Sequence, residues 1–401
     1  MKRILLILTI FILASGIVFA QDETGDTIFL DPFVPRSPEV MAQGGSFTAV
    51  AAGYNALFTN PAGFASDKGS LTIVSANPWI YVRPDQVLEV VEGLTAESTG
   101  EEDPMMALIP LINEQITTGG MGLGFSTGLA WTGKGLGLGV VGMVDSYIYG
   151  DKLLGAEGEA TATVGLVGGL AIPFDVLGMT LTIGGDVRPM YRAYIPMGND
   201  LVIDLLSSLG DETADPLAML MEQSAYAGVG LGLDLGAMLD IGPFTVGMSI
   251  RDLFGTRFSF SSSSLQEIVD SIETEGGLPE GSIVNDTYMI PMEINLGASF
   301  HPDLGGFSFI IDPKVHVDLK DPIGVIRDKQ SPWTLLHIGA EAKMFRFLSL
   351  RGGFNQGYIT GGLGMKLLFL DVNASFFTLE RGRYIGDKPN SGVTLEAALR
   401  F

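Results

Sequence analysis

From Leu71 onward, apolar and polar residues alternate in short segments divided by turn residues, the period-two pattern of strands with two unlike faces. The last segment shows it cleanly: Val393, Leu395, Ala397, Leu399 and Phe401 share one face, and Thr394, Glu396, Ala398 and Arg400 the other. Around 336–344, Leu336, Ile338, Ala340, Ala342 and Met344 oppose His337, Gly339, Glu341 and Lys343. Val315, Val317 and Leu319 likewise oppose Lys314, His316 and Asp318. The pattern predicts about fourteen strands, near 71–82, 119–132, 134–149, 159–173, 177–193, 224–241, 243–258, 285–301, 306–319, 334–345, 347–358, 361–369, 371–380 and 391–401.

The connections sort by parity. Even-numbered ones are short turns at Gly133, Asp175-Val176, Gly242, Pro302 to Gly305, Arg346 and Leu370. Odd-numbered ones include 83–118, 194–223, 259–284, 320–333 and 381–390, and only 358–361 is short on that side. Short turns at one end and long loops at the other describe an all-β fold, a transmembrane antiparallel β-barrel with extracellular loops. Phe401, ending an alternating strand, matches the usual close of a bacterial outer-membrane barrel and is expected to engage the barrel assembly machinery. The loops near 103–117, 200–223 and 264–274 carry helix-like apolar spacing, with Met105, Met106, Met219, Leu220 and Met221 among the apolar residues. Short helices there would pack on the rim or offer an adaptable apolar landing groove, with Met219 and Met221 as candidate ligand contacts.

Composition sharpens this picture. Mean hydropathy is +0.34, Gly numbers 54 and only 17% of residues are charged, yet beyond the first 20 residues no apolar run reaches the ~18 needed for a spanning helix. Strands that show lipid on every second side chain give that combination. A net charge of −23 argues against nucleic acid or anionic lipid as a partner. The start, MKRILLILTIFILASGIVFA, reads as a secretory signal peptide over 1–20. That leaves 21–70 ahead of a barrel over 71–401.

The expected lumen face is uneven. Gly124, Ser126, Gly128, Ala130, Gly137, Gly139, Val141, Met143, Gly165, Val167, Gly169 and Ala171 make it small and apolar in the second to fourth strands, and Val141 and Met143 are candidate ligand contacts. Later strands aim charges of both signs inward, among them Asp186, Arg188, Asp234, Arg251, Glu293, Lys314, Asp318, Glu341, Arg351, Glu396 and Arg400. Such charges should pair with each other or with a plug. Pro189 and Pro291 each remove a ladder hydrogen bond and mark a bulge or a gap for sideways exit. Catalysis finds little support, a buried lipase-type site being the one form left open: His301, His316 and His337 have no metal-type spacing, and Gly135 to Gly142 (GLGLGVVG) lies within a strand with no following helix. Neither a cofactor nor a metal is expected.

One segment is more specific. Gly44-Gly45-Ser46-Phe47-Thr48-Ala49-Val50, followed by Asn55 to Phe64 (NALFTNPAGF), resembles the N-terminal hatch of the long-chain fatty acid outer-membrane transporter (FadL) family, whose wider superfamily includes TraF-like and PorV/PorQ barrels. VHVDLKDP (Val315 to Pro322) and LSLRGGFNQGYITGGLGM (Leu348 to Met365) look more like the TraF/PorV side. The resemblance implies a hatch inside the lumen over 21–70, with Phe58, Asn60, Pro61, Ala62, Gly63 and Phe64 as hatch residues. It also implies that Phe29, Leu30, Phe33 and Val34 close a ligand pocket. By that likeness the chain would pass fatty acids or other hydrophobic molecules from loop helices to an inner pocket and out sideways into outer-membrane lipid. A PorV-like role in secretion or surface assembly and a general porin remain the alternatives.

Overall fold

A computed structural model describes residues 26–83, 104–152, 155–208, 215–274, 281–284 and 286–401; the expected signal peptide and Met105 and Met106 of the first long loop lie outside the described side chains. The wall starts with β2 (Ser70–Tyr81), β3 (Met121–Gly133), β4 (Leu136–Tyr149), β5 (Glu157–Val176), β6 (Met179–Met197) and β7 (Ser224–Ile241), each antiparallel to the next. It ends with β13 (Ile311–Lys320), β14 (Leu336–Met344), β15 (Leu348–Asn355), β16 (Tyr358–Leu367), β17 (Leu370–Glu380) and β18 (Pro389–Arg400). The barrel closes where β18 pairs with β2.

Between these runs stand two strands that are not continuous. One is split into β8 (Phe244–Arg251) and β9 (Thr256–Ser264), the other into β10 (Ser282–Ile283), β11 (Thr287–Ile290) and β12 (Glu293–Phe300). With each split strand taken as one, the wall has the fourteen strands that the alternation predicts, but the expected segments 243–258 and 285–301 are bent. In the first, Asp252, Phe254 and Gly255 take positive φ. In the second, Pro291 and Met292 interrupt the ladder. The two bends lie at one height, because β9 pairs with β11 above them and β8 with β12 below.

Outward positions are apolar, from Leu123, Phe125 and Leu129 on β3 to Leu166, Leu170 and Ile172 on β5, so the wall faces lipid. No described helix is long and apolar enough to cross a membrane. The short-turn end is built of tight hairpins such as Lys134-Gly135 and Leu177-Gly178, positive in φ at both positions, which suits the strand twist. Phe244–Phe300, Phe309–Phe345 and Phe369–Phe401 ring pairs band that end, as an interfacial aromatic girdle does. The long-loop end carries α2 (Pro104–Thr118), α3 (Asn199–Ser208), α4 (Pro216–Met221) and α5 (Leu265–Thr274), and α6 (Pro322–Arg327) follows β13. This is an outer-membrane type of β-barrel with its core inside the lumen.

Candidate functional site: the filled lumen

The N-terminal segment runs down the inside of the wall from the long-loop end to the short-turn end. It comprises β1 (Thr27–Phe29), α1 (Pro38–Ala42) and two 3-10 turns, Gly53–Phe58 and Pro61–Ala65. Leu30, Phe33, Val40, Met41, Phe47, Tyr54, Leu57, Phe58 and Phe64 pack in one buried cluster with Trp79, Tyr81, Val141, Met143, Val167 and Met190 of the wall. The small inward residues of β3 to β5 are the mould of these rings. A Cβ at Gly137 would stand 2.6 Å from the Phe64 ring, and one at Gly169 would stand 2.7 Å from it.

Asn60 ties the segment to backbone. It is fully buried, and its Nδ2 donates to the carbonyls of Thr48 at 2.9 Å and Met248 at 3.2 Å. Its Oδ1 accepts from the Ala62 N–H at 3.0 Å, capping the turn that Pro61 starts. Only glycine fits opposite: a Cβ at Gly184 would meet the Pro61 carbonyl at 2.5 Å.

The two other quoted stretches meet here. Asp318 Oδ2 accepts the N–H groups of Phe47 and Thr48, each at 2.8 Å. His316 lies 2.8 Å from Ser46 Oγ and 2.9 Å from Gln43 Oε1, and His337 Nδ1 donates to the Gly44 carbonyl at 2.7 Å. Thr360 Oγ1 donates to the Ala42 carbonyl at 2.9 Å. Thus Gly44 to Thr48 is read by the inward residues of Val315 to Pro322 and its neighbours, whose polarity serves docking.

Charges complete the fit, and Arg351, one of the inward wall charges, pairs both with another wall charge and with the inner segment. Glu39 on α1 accepts from Asn55 Nδ2 at 2.8 Å and pairs with Arg351 at 3.4 Å, while Arg351 also holds Glu341 at 2.9 Å. Arg381 pairs with Asp31 at 3.3 Å, and Arg192 donates to the Asp31 carbonyl at 2.7 Å. Burial alone would raise the Asp31 carboxyl, but Arg381, Arg36 and Arg192 outweigh it and hold it below its ordinary 3.8. Glu39 is held below its ordinary 4.5 in the same way, burial being overcome by Arg351, Lys343 and other cations. Beside the bend, Asp234 and Asp252 bracket Arg188, which is fully buried.

Three cavities follow one another along the segment. At the long-loop end a vestibule of about 400 Å³ is lined by Tyr147, Tyr149, Glu157, Tyr194, Met197 and Arg381. Beneath it a neck of about 10 Å³ lies among Asp31, Asp145, Glu159, Arg192 and Arg381, room for about one water. Below Pro32 an inner cavity of about 120 Å³ has an apolar side of Val34, Val40, Met41, Phe47 and Phe58. Its polar side is Arg251, Asp252, Glu293, Asn295, Lys320 and His337. That polar side lies where the wall is incomplete. The β12–β13 ladder stops at Asn295 opposite Lys320, and above it β11 pairs in parallel with β1 instead.

The candidate ligand contacts fall into separate places. Leu30, Phe33, Val141 and Met143 do share the cluster. Phe29 faces outward, 50% exposed with the Arg327 guanidinium 4.8 Å above its ring. The reason is strand alternation: Leu30 and Ile28 take the inner face of β1, so Phe29 takes the outer. Met219 and Met221 sit half-buried on α4, away from the cluster. Pro189 lies on an unbroken β6–β7 ladder, and the β5–β6 register is the same on both sides of it. On its other side the β5–β6 ladder skips Leu166 and Val167 opposite Pro189 and resumes in the same register, whereas Pro291 interrupts its own strand.

No protein-family model matches the sequence, and no curated protein does. Among solved structures the chain is similar to the CymD monoaromatic hydrocarbon channel, at 12% identity and TM-score 0.49 over 95% of this chain and 98% of that one. It is also similar to the Pseudomonas putida toluene transporter TodX, at 12% identity and TM-score 0.44 over 93% and 99%. A Pseudomonas aeruginosa FadL homologue gives 12% identity and TM-score 0.45 over 93% and 99%.

Proposed function

We propose that this chain is a bacterial outer-membrane transporter for hydrophobic small molecules, long-chain fatty acids among them, and that residues 26–66 act as its hatch. The observation that carries the reading is the inner cavity: lined on the hatch side mainly by Val34, Val40, Met41, Phe47 and Phe58, with Arg36 the one charge there, it abuts the point where the wall ladder stops. A molecule would enter the vestibule, pass the neck as the hatch shifts, occupy the inner cavity and leave sideways beside Pro291 into the bilayer. Each buried CH₂ contributes about 0.8 kcal/mol, so an apolar wall binds a chain without a dedicated charge. Passage needs no covalent step and runs down a gradient. A lumen packed with side chains supports a hatch over an open pore.

The test is uptake of radiolabelled oleate by cells of a host that lacks its own hydrophobic channel. Expression of this chain is expected to raise uptake several-fold, with little ion conductance in planar bilayers. Strong conductance without uptake would point to a porin. Stoichiometric copurification with secreted proteins, again without uptake, would point to surface assembly.

A further inference from the structure

We infer that β1 is a displaceable strand of the wall, a latch that shuts the seam between β11 and β13, and that Asp31 is the residue that keeps it shut. The inference rests on the proposed transport role and names the element that would control its exit. Above Asn295 and Lys320, among the described residues, no wall strand covers the β11 edge facing β13; the covering strand is the chain's own N-terminal segment. Its register is Thr27 with Thr287, Ile28 with Tyr288 and Phe29 with Met289. Two further backbone bonds flank it, Leu30 N–H to the Met289 carbonyl at 2.9 Å and Thr287 N–H to the Asp26 carbonyl at 3.0 Å. Phe29 then presents an outward ring as a wall residue does, under Arg327 of α6.

The two edges of β11 are held very differently. Toward β9 and β7, Tyr288 lies against Tyr226 at 5.2 Å, Phe260 at 5.0 Å and Tyr194 at 5.9 Å between ring centres. Both edges pair over three residues, but the one ring of β1, Phe29, points outward, away from that stack. A three-residue strand has little stability of its own, so the seam opens on the β1 side while the aromatic side stays closed. What fixes β1 is the residue pair that follows it: Leu30, buried in the cluster, and Asp31, gripped by Arg381 and Arg192. Both guanidiniums line the neck, and Arg381 also lines the vestibule. A molecule moving down from the vestibule therefore pushes first on the groups that hold the latch. Loosening Asp31 frees β1 and uncovers the seam beside Glu293, Asn295 and Lys320, which line the inner cavity. Entry and exit are coupled through two adjacent residues.

The chain has no cysteine, so a single pair can be introduced cleanly. Thr27 and Thr287 are register partners on the outer face, within the separation that a disulfide spans. In Thr27→Cys/Thr287→Cys, oxidation is expected to stop oleate uptake, and reduction to restore the parent rate, while the barrel stays folded by its heat-modifiable gel mobility. Parent-level uptake by the oxidised protein would overturn the latch. A second readout does not need transport: Ile28→Cys, half-buried beneath the strand, reports opening by its rate of labelling with a membrane-impermeant maleimide. Asp31→Asn is expected to speed that labelling on the order of threefold, the size of a part-exposed ion pair, and oleate to speed it in the Asp31 background. Labelling indifferent to both would overturn the inference even if uptake is real. Labelling that responds to both in a protein that takes up no oleate would keep the latch and sink the transport reading.

Discussion

The sector β3 to β5 and the sector β8 to β13 bound the same lumen by opposite means. In the first, the strands are long and unbroken and the inward residues small, so the inner segment is held by rings set into hollows, as Phe64 is between Gly137 and Gly169. In the second, the strands bend at Asp252 to Gly255 and at Pro291, and below the bends the inward residues are polar, among them Ser249, Arg251, Asn295, Ser299, His316 and Asp318. There the grip is hydrogen bonds and ion pairs at defined atoms. Packing is close and non-directional, so it sets volume; polar contacts set register and fail together when one partner moves. The contrast teaches that one sector is a seat and the other a gate. Removing one kind of grip at a time tests that division.

The largest effect is expected from Asp318→Ala in the polar sector. It removes a buried acceptor from the Phe47 and Thr48 N–H groups and leaves both donors unpaired, a loss of about 4 kcal/mol from two charge-assisted bonds. Leakage of a small polar solute such as sucrose into cells should rise sharply while the barrel keeps its folded gel mobility. Asn60→Ala comes next, at about 3 kcal/mol for its buried bonds to backbone. It should leak in the same way and lose protease protection of residues 26–66. If both variants leak no more than the parent, the polar sector does not position the hatch.

In the packed sector the expected effect is smaller. Gly137→Leu overfills the Phe64 hollow at a cost of about 2 kcal/mol, whereas Gly142→Leu, on the outward face of the same strand with only the Thr127 methyl group within 4.0 Å of a Cβ, should be silent. Leakage from Gly137→Leu should be graded by side-chain size through Ala, Val and Leu. Equal leakage from both positions would mean that the wall, not the seat, had been disturbed.

Much of this was legible because membrane barrels impose a period of two and a parity of loops. The wall strands and the lumen face of β3 to β5 follow from alternation alone, and NPAG marked the turn that Asn60 caps. The bend at Asp252 was not legible: no proline marks it, and a left-handed Phe254 has no sequence signature. Nor was β1, because Thr27-Ile28-Phe29 is too short for a period to show and its partner is 260 residues away. Phe29 was therefore expected inward, and the Asp31–Arg381 pair was missed because contacts between distant loops leave no spacing to read.

The smallest effect concerns acid, and it separates grip by ion pairs from grip by packing. Asp31 and Glu39 are held below their ordinary values by Arg381 and Arg351. A group whose value is lower in the docked state favours docking when ionised, so its contribution is complete above the ordinary values of 3.8 and 4.5 and is lost as pH falls through the lower docked values. Solute leakage should stay flat from neutral pH to about pH 5 and rise below about pH 4. In Asp31→Asn/Glu39→Gln that rise should disappear and leakage should be slightly raised at all pH, whereas Gly137→Leu should keep the parent's pH profile at a higher level. A rise already near pH 6 would rule these two carboxylates out as the source of the acid response. Retention of the acid rise in the double variant would show that the hatch is not held by the Arg381 and Arg351 pairs, leaving the rings in their hollows as its main hold.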